Sequence, residues 1–128
     1  MSSPRRALVV DDDAGIRILV TRILSRNGFL VDSARDGAEA IEQLLKHDYS
    51  IIALDLMMPR IDGFAVVRYV ATHLPEKLPN VIVMTAFGSS ALPQVCPPAV
   101  RFIEKPFDIE RFIAEAADCI ESQVESDQ

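Results

Sequence analysis

Four short apolar runs in this chain each end in polar side chains that could take part in phosphoryl transfer. In chain order, the runs are followed by Asp11-Asp12-Asp13, Asp55, Thr85 and Lys105. Runs of about four to eight aliphatic and β-branched residues are typical of buried parallel strands. Because ligands of an open parallel sheet bind beyond the carboxyl ends of its strands, we expect these carboxylates, the hydroxyl and the ammonium group to converge on one site.

Carboxylates that crowd together repel one another, so either one of them is protonated or a cation lies among them. A site with a few oxygen ligands and room for water suits Mg²⁺. With a metal present, Asp55 at the end of the middle strand could act as a nucleophile toward a phosphoryl donor. Lys105 and the metal would screen the charge of the transferring group, and the Thr85 hydroxyl could donate a hydrogen bond to it.

Helical periodicity between the apolar runs indicates that strands and helices alternate. After Asp13, apolar residues recur at i, i+3 and i+4 spacing until Asn27-Gly28, a typical helix end. Asp36, with Glu39 three residues later, resembles the capping box of a second helix, and Asp108 is expected to cap the last one. The predicted strands cover residues 7–10, 29–31, 50–54, 80–84 and 101–104. This alternation favours a parallel sheet with helices on both faces.

The segment 88–99 departs from the alternation. Another helix is expected there, but Pro93, Pro97 and Pro98 fall within the segment. A proline inside a helix costs about 3 kcal/mol. We therefore expect at most one or two helical turns, around residues 89–92.

The length and charge of the chain exclude several classes of protein. A chain of 128 residues fits one domain, with a lead-in at residues 1–5, the domain at 6–122 and a polar tail at 123–128. Thirteen basic and nineteen acidic residues give a net charge of −6, which argues against binding to a nucleic-acid backbone. No apolar stretch approaches the roughly 18–20 residues of a membrane span.

The cysteine pattern and the N-terminal sequence favour a cytoplasmic protein. Asp11-Asp12-Asp13 interrupts the first apolar segment, so we expect no signal peptide there. Cys96 and Cys119 form no CxxC pair. We therefore expect reduced thiols in a cytoplasmic protein.

Four motifs, taken in order along the chain, resemble those of one known family. They are Val9-Val10-Asp11-Asp12-Asp13, Leu54-Asp55-Leu56-Met57-Met58-Pro59 with Asp62-Gly63, Met84-Thr85-Ala86, and Phe102-Ile103-Glu104-Lys105-Pro106-Phe107. Together they resemble the receiver domain of two-component response regulators. The resemblance implies a flavodoxin-like α/β fold, with a doubly wound five-stranded parallel sheet in the order 2-1-3-4-5. The fourth helix of that fold would be irregular or shortened here, because it falls on residues 88–99.

By motif position, the resemblance implies that Asp55 is the phosphate acceptor. It further implies that Mg²⁺ is bound by Asp12 directly, by Asp11 through water, by Asp55, and by the main-chain carbonyl of Met57. Lys105 would contact the phosphoryl oxygens.

The resemblance also implies a conformational switch and a set of loop residues. The switch pair would be Thr85, whose hydroxyl moves toward the phosphoryl group, and Phe102, whose ring turns inward. Three residues would shape the loops around the site: Pro59, Gly63 and Pro106.

The function that this resemblance implies is a phosphorylation-controlled signalling switch. The domain would take a phosphoryl group from a histidine kinase or a histidine phosphotransfer protein, and would then engage an effector protein or an output domain outside this chain. It would catalyse its own phosphorylation and dephosphorylation without turning over an independent substrate. We expect no direct contact with nucleic acid or membrane, and homodimerisation is left open.

Two alternatives come from other classes of protein. Asp11 and Asp13 have the DxD spacing of haloacid-dehalogenase-type phosphohydrolases, although the chain has no room for a cap domain and Asp13 is also suited to capping the first helix. The second alternative is a receiver fold that serves as a constitutive binding module. Sustained phosphatase turnover would favour the first alternative, and failure to bind Mg²⁺ would favour the second.

Overall fold

The computed structural model describes residues 5–56, 63–85, 100–104 and 109–126. Five strands form one parallel sheet: β1 (Arg6–Val10), β2 (Leu30–Ala34), β3 (Ile51–Asp55), β4 (Val81–Thr85) and β5 (Arg101–Glu104). Their order in the sheet is β2-β1-β3-β4-β5. The predicted five-stranded sheet and its strand order are therefore confirmed. Segment 88–99, with its expected short helix, lies outside the described residues.

Helices cover both faces of the sheet. The described α-helices are α1 (Ala14–Arg26), α2 (Gly37–Lys46), α3 (Gly63–His73) and α4 (Ile109–Ser126), and a 3-10 helix covers Pro75–Asn80. One buried cluster lies between the sheet and the helices α2 and α3, and the other lies between the sheet and the helices α1 and α4. Successive residues of a strand point to opposite faces, so Leu8 and Val10 belong to the first cluster and Ala7 and Val9 to the second.

Local capping signals correctly predicted where α1 begins and ends. The Asp13 side chain accepts hydrogen bonds from the main-chain N–H groups of Gly15 and Ile16 at the start of α1. Asn27 caps the other end, and Gly28 follows with a φ of +92°, a conformation that favours glycine. Both ends are thus determined by residues that lie next to them in the sequence.

The start of α2 is capped as predicted at Asp36, with one difference from the usual capping box. The Asp36 side chain accepts a hydrogen bond from the N–H of Glu39 at 2.9 Å. The Glu39 carboxylate accepts from the N–H of Arg35, one residue before the cap, at 2.8 Å. The guanidinium of Arg35 also donates to Glu39, and this hydrogen bond is the main reason that the pKa of Glu39 is lowered.

The buried faces of two helices differ from those that the periodicity predicts. In α2 the apolar residues Ala38, Ile41, Leu44 and Leu45 have helical spacing, which predicts that they face inward. The buried residues are instead Gly37, Ala40 and Leu44, and Ala38 and Leu45 are exposed. The apolar residues of α2 cover a wider part of the helix surface than the part that is buried. Packing against the rest of the domain therefore determines which side of α2 faces inward. In α4 the spacing of the apolar residues predicts a buried stripe that includes Ile109, Phe112, Ile113 and Ala116. Phe112, Ala116 and Cys119 form the inner face, and Ile109 and Ile113 are exposed.

Within the described part of the chain, every helix is either too short or too polar to span a bilayer.

Candidate functional site

Three carboxylates meet at the carboxyl edge of the sheet. Val10 at the end of β1 pairs with Leu54 of β3, so the residues that follow each of them are neighbours. Asp11, Asp12 and Asp55 each offer a carboxylate oxygen, and these oxygens lie within 4.8 Å of one another. Asp11 and Asp55 are buried, with exposed fractions of 0% and 5%, and Asp12 is exposed. The sheet therefore brings together the aspartates that the sequence places after two separate strands.

Mutual repulsion makes this cluster a favourable place for a cation. Two carboxylate charges about 5 Å apart repel each other by about 3 kcal/mol at an effective dielectric constant of about 20. Carboxylate oxygens are the ligands that Mg²⁺ prefers, and its octahedral bonds of about 2.1 Å place ligand oxygens about 3–4 Å apart. Separations within 4.8 Å fit such an ion if one carboxylate binds it through a water molecule. The residues present thus fit Mg²⁺.

Asp11 is held in place by hydrogen bonds from several parts of the chain. Its N–H donates to the carbonyl of Ala34 in β2 at 3.2 Å, and its Oδ1 accepts from the N–H of Asp13 at 2.9 Å. Its main-chain carbonyl accepts a hydrogen bond from Nη1 of Arg17 in α1 at 2.8 Å. The sequence pattern gives no sign of this contact, because Arg17 belongs to no motif and reaches back over six residues.

Asp13 lies next to the cluster in sequence and caps the helix α1. Its carboxylate oxygen Oδ1 accepts the two capping hydrogen bonds at the start of α1, at 2.8 and 3.2 Å. Among the described residues, the acidic group able to hold a metal comprises Asp11, Asp12 and Asp55, without Asp13. The expectation that Asp13 caps the helix is therefore confirmed.

The first residue of α3 lies directly against the main chain of the candidate phosphate acceptor. Gly63 donates its N–H to the carbonyl of Leu56 at 3.0 Å. A Cβ atom at Gly63 would lie 3.0 Å or less from the carbonyl carbon and oxygen of Asp55 and from the Cα of Leu56. Only glycine permits this approach, so Gly63 begins a helix that packs on the end of β3. Its φ is not positive, in contrast to that of Gly28.

The two residues expected to form the switch lie on β4, the neighbour of the strand that carries Asp55, and on β5, the next strand beyond it. Thr85 ends β4, one residue after Met84, which pairs with Asp55. Phe102 in β5 pairs with Val83 and is half-buried against the cluster that α2 and α3 cover. Thr85 thus lies at the same edge of the sheet as Asp55.

Five of the residues assigned from the sequence lie outside the described part of the chain. They are the site residues Met57, Pro59, Lys105 and Pro106, and Asp108, the expected cap of the last helix. Their assigned roles, like those of Thr85 and Phe102 in switching, remain predictions.

Comparison with a family model and with curated proteins points to one family. A family model for the response regulator receiver domain matches residues 7–117. Response regulator MprA of Mycobacterium sp. (strain KMS) is 37% identical over 113 residues, which cover 87% of this chain and 48% of that protein. MprA of Mycobacterium ulcerans (strain Agy99) is 38% identical over 111 residues, covering 85% and 47%. The chain spans about half the length of these curated relatives.

Solved structures resemble the fold over nearly the whole chain. Chemotaxis protein CheY4 of Vibrio cholerae superimposes with a TM-score of 0.83 and 27% identity, covering 91% of this chain and 99% of that one. A chain from the CheX–CheY–BeF3–Mg²⁺ complex of Borrelia burgdorferi gives a TM-score of 0.81 and 28% identity, covering 91% and 90%. The complex from Borrelia thus contains Mg²⁺ and BeF3.

Proposed function

Because this chain belongs to the family of response regulator receiver domains, the phosphorylation-controlled switches of two-component signalling, we propose that it accepts a phosphoryl group on Asp55. The observation that carries this proposal is the convergence of Asp11, Asp12 and Asp55 at the carboxyl edge of the sheet. Asp55 is the member of this group that ends the central strand β3, and Gly63 packs on its main chain. Its main chain is thus held between β3 and the start of α3, and its carboxylate is buried where the three meet.

The carboxylates of Asp11, Asp12 and Asp55 would hold Mg²⁺, with the main-chain carbonyl of Met57 as a further ligand. When bound, the ion neutralises charge on the phosphoryl oxygens and on the carboxylates. Support for this part comes from the oxygen-only donor set, from the 4.8 Å limit on the oxygen separations, and from the Mg²⁺ and BeF3 in the related Borrelia complex.

In the proposed reaction, a carboxylate oxygen of Asp55 attacks the phosphorus of a phosphohistidine on a kinase or phosphotransfer protein. An O–P bond forms and the P–N bond breaks, and the leaving imidazole nitrogen keeps the electron pair and takes up a proton. Lys105 would contact the phosphoryl oxygens, and the Thr85 hydroxyl would donate a hydrogen bond to one of them.

The signal would then pass to a partner through Thr85 and Phe102. Movement of the Thr85 hydroxyl toward the phosphoryl group would allow the half-buried Phe102 ring to turn inward. The recipient would be an effector protein or an output domain, and the reaction would take place in the cytoplasm. The domain, over residues 6–122, would act as a switch and not as an enzyme, because it modifies only itself.

Stoichiometric phosphorylation tests this proposal. The purified chain is incubated with Mg²⁺ and acetyl phosphate, and after removal of the donor the intact mass and the hydroxylamine-labile phosphate are measured. One phosphoryl group per chain is expected, with none after Asp55→Asn or in the presence of a chelator. Asp48→Asn is the matched control, since Asp48 is exposed and pairs with Lys77. Equal phosphorylation of Asp55→Asn and the wild type would refute the assignment.

The phosphohydrolase alternative requires Asp13 beside Asp11 as a catalytic carboxylate. The Oδ1 of Asp13 instead accepts the capping hydrogen bonds of α1, which disfavours that alternative. Asp13→Asn keeps a capping oxygen and should still be phosphorylated once per chain. Continuous release of phosphate from a phosphomonoester, abolished in this variant, would support the phosphohydrolase instead.

A further inference from the structure

Arg17 joins the helix α1 to the end of strand β1 at the metal site. It lies half-buried in the first part of α1, and its Nη1 donates a 2.8 Å hydrogen bond to the main-chain carbonyl of Asp11. The bond comes from a side chain and reaches back six residues, to a carbonyl that precedes α1. It is therefore additional to the regular helical hydrogen bonds, in which a main-chain N–H pairs with a carbonyl four residues earlier. It therefore fixes how the chain turns from strand to helix.

The carbonyl that Arg17 contacts belongs to the peptide unit between Asp11 and Asp12. A peptide unit is planar, so a hydrogen bond that holds its oxygen also sets the direction in which the chain enters Asp12. The N–H of Asp11 is tied to Ala34, and its Oδ1 is tied to Asp13. Arg17 adds a partner for the main-chain carbonyl of a residue with no exposed surface, where such a carbonyl needs one.

The charge of Arg17 acts in the opposite direction to its hydrogen bond. A guanidinium this near the carboxylates repels a divalent cation, so on electrostatic grounds alone an uncharged residue at this position would strengthen metal binding. Its field also reaches Glu39 in α2, where it makes a small contribution, after the larger one of Arg35, to lowering the pKa of that carboxyl. If Arg17 instead positions the metal ligands, its replacement should weaken metal binding. Measured metal affinities of Arg17 variants can therefore separate the two effects.

We propose that Arg17 is a positioning residue of the metal site, which holds the Asp11–Asp12 peptide so that both carboxylates face the same ion. The inference rests on the proposed function, since it concerns the Mg²⁺ site that serves phosphorylation of Asp55. Residues that orient metal ligands in this way typically change metal affinity by about 10–100-fold when they are replaced. We expect the lower end of that range, because Arg17 acts through a main-chain group and not through a carboxylate.

The test compares Arg17→Met and Arg17→Gln with Arg22→Met. Methionine and glutamine have helix propensities close to that of arginine, so α1 should form in all three. Arg22 is exposed on the same helix and provides the same loss of charge without the contact to Asp11. Binding of Mn²⁺ is measured by electron paramagnetic resonance, with Mg²⁺ as competitor, on the full chain without any phosphoryl donor.

Both Arg17 variants should bind Mn²⁺ and Mg²⁺ about tenfold more weakly than the wild type, and Arg22→Met should bind them equally well or slightly better. In phosphorylation by acetyl phosphate, the Mg²⁺ concentration that gives half the maximal rate should rise by the same factor. The maximal rate itself should be largely recovered at saturating Mg²⁺, which a general loss of folded protein would not allow. In the NMR spectrum, the Asp11 carbonyl carbon should shift upfield when its donor is removed.

Unchanged or tighter metal binding in the Arg17 variants would overturn the inference and leave charge repulsion as the dominant effect. A wild-type chain that binds neither ion would instead refute the proposed function, and this inference with it. Weak binding in Arg17→Met together with equally weak binding in Arg22→Met would also overturn it, because the loss would then not depend on the contact to Asp11.

Discussion

Replacement of Gly63 by alanine should damage both the fold and the proposed phosphorylation site. The added Cβ would come within 3.0 Å of the carbonyl carbon and oxygen of Asp55 and of the Cα of Leu56. Ordinary Cβ contacts begin at 3.4 Å, so the start of α3 and the end of β3 must move apart by at least several tenths of an ångström. All three atoms belong to the main chain, and no flexible side chain can make room.

Two terms of opposite sign determine the size of this effect. Overpacking in a closely packed region costs about 1–3 kcal/mol, and the rigid main-chain neighbours place Gly63→Ala at the upper end. Alanine is favoured over glycine in a helix by about 1 kcal/mol, which offsets part of that cost. The net loss should be about 2 kcal/mol. For a domain of this size it corresponds to a fall in Tm of about 8 °C.

Thermal and urea unfolding measure the loss of stability, and the rate of phosphorylation by acetyl phosphate measures the effect on Asp55. Displacement of the Asp55 main chain should slow phosphorylation by about tenfold or more, since misplacement of a reacting group by about 1 Å can cost about a hundredfold. Gly15→Ala is the matched control in the first turn of α1. There the nearest atom is the side-chain Oδ1 of Asp13 at 3.2 Å, and the stability should change by about 0.5 kcal/mol or less. A Gly63→Ala variant as stable as the wild type would refute this reasoning.

Three further predictions concern a helix cap, a buried phenol and the metal. Asp13→Ala should lower the free energy of unfolding by about 1 kcal/mol, measured with urea, and Asp13→Asn should restore it. Burial, and next the hydrogen bond to Asp32, raises the pKa of Tyr49. The unfolded chain therefore loses this proton first, and urea unfolding should show stability falling above about pH 10, less so in Tyr49→Phe. Mg²⁺ at ten times its Kd should stabilise the wild type by about 1.4 kcal/mol in thermal unfolding, and Asp12→Asn should abolish this.

The parts of the fold that could be predicted from the sequence are those determined by local signals. The strand at 101–104 and the ends of α1 follow from an apolar run and from the capping residues Asp13 and Asn27. The second strand was predicted at 29–31, but β2 covers Leu30–Ala34. Asp32 and Ser33 are polar, and they are extended because they pair with β1 at the edge of the sheet.

The candidate site divides in a similar way. The convergence of Asp11, Asp12 and Asp55 could be predicted from the sequence, because the carboxyl ends of parallel strands share one edge of the sheet. The contact of Arg17 with Asp11 and the close approach of Gly63 to β3 could not, because they depend on the angle between a strand and the following helix and on how closely α3 packs. These distances arise from packing of the whole domain, and no local pattern encodes them.

The site lies at the carboxyl ends of the strands, and the amino ends of the strands form the opposite edge of the sheet. A strand of five residues spans about 13 Å, so the connection of residues 47–50 between α2 and β3 emerges about that far from Asp55. A fluorophore or affinity handle attached at Asp48, whose side chain is 80% exposed, would therefore stand clear of a docking kinase at the aspartates. The architecture thus offers one edge for labelling and immobilisation, opposite the edge that carries the proposed phosphorylation site.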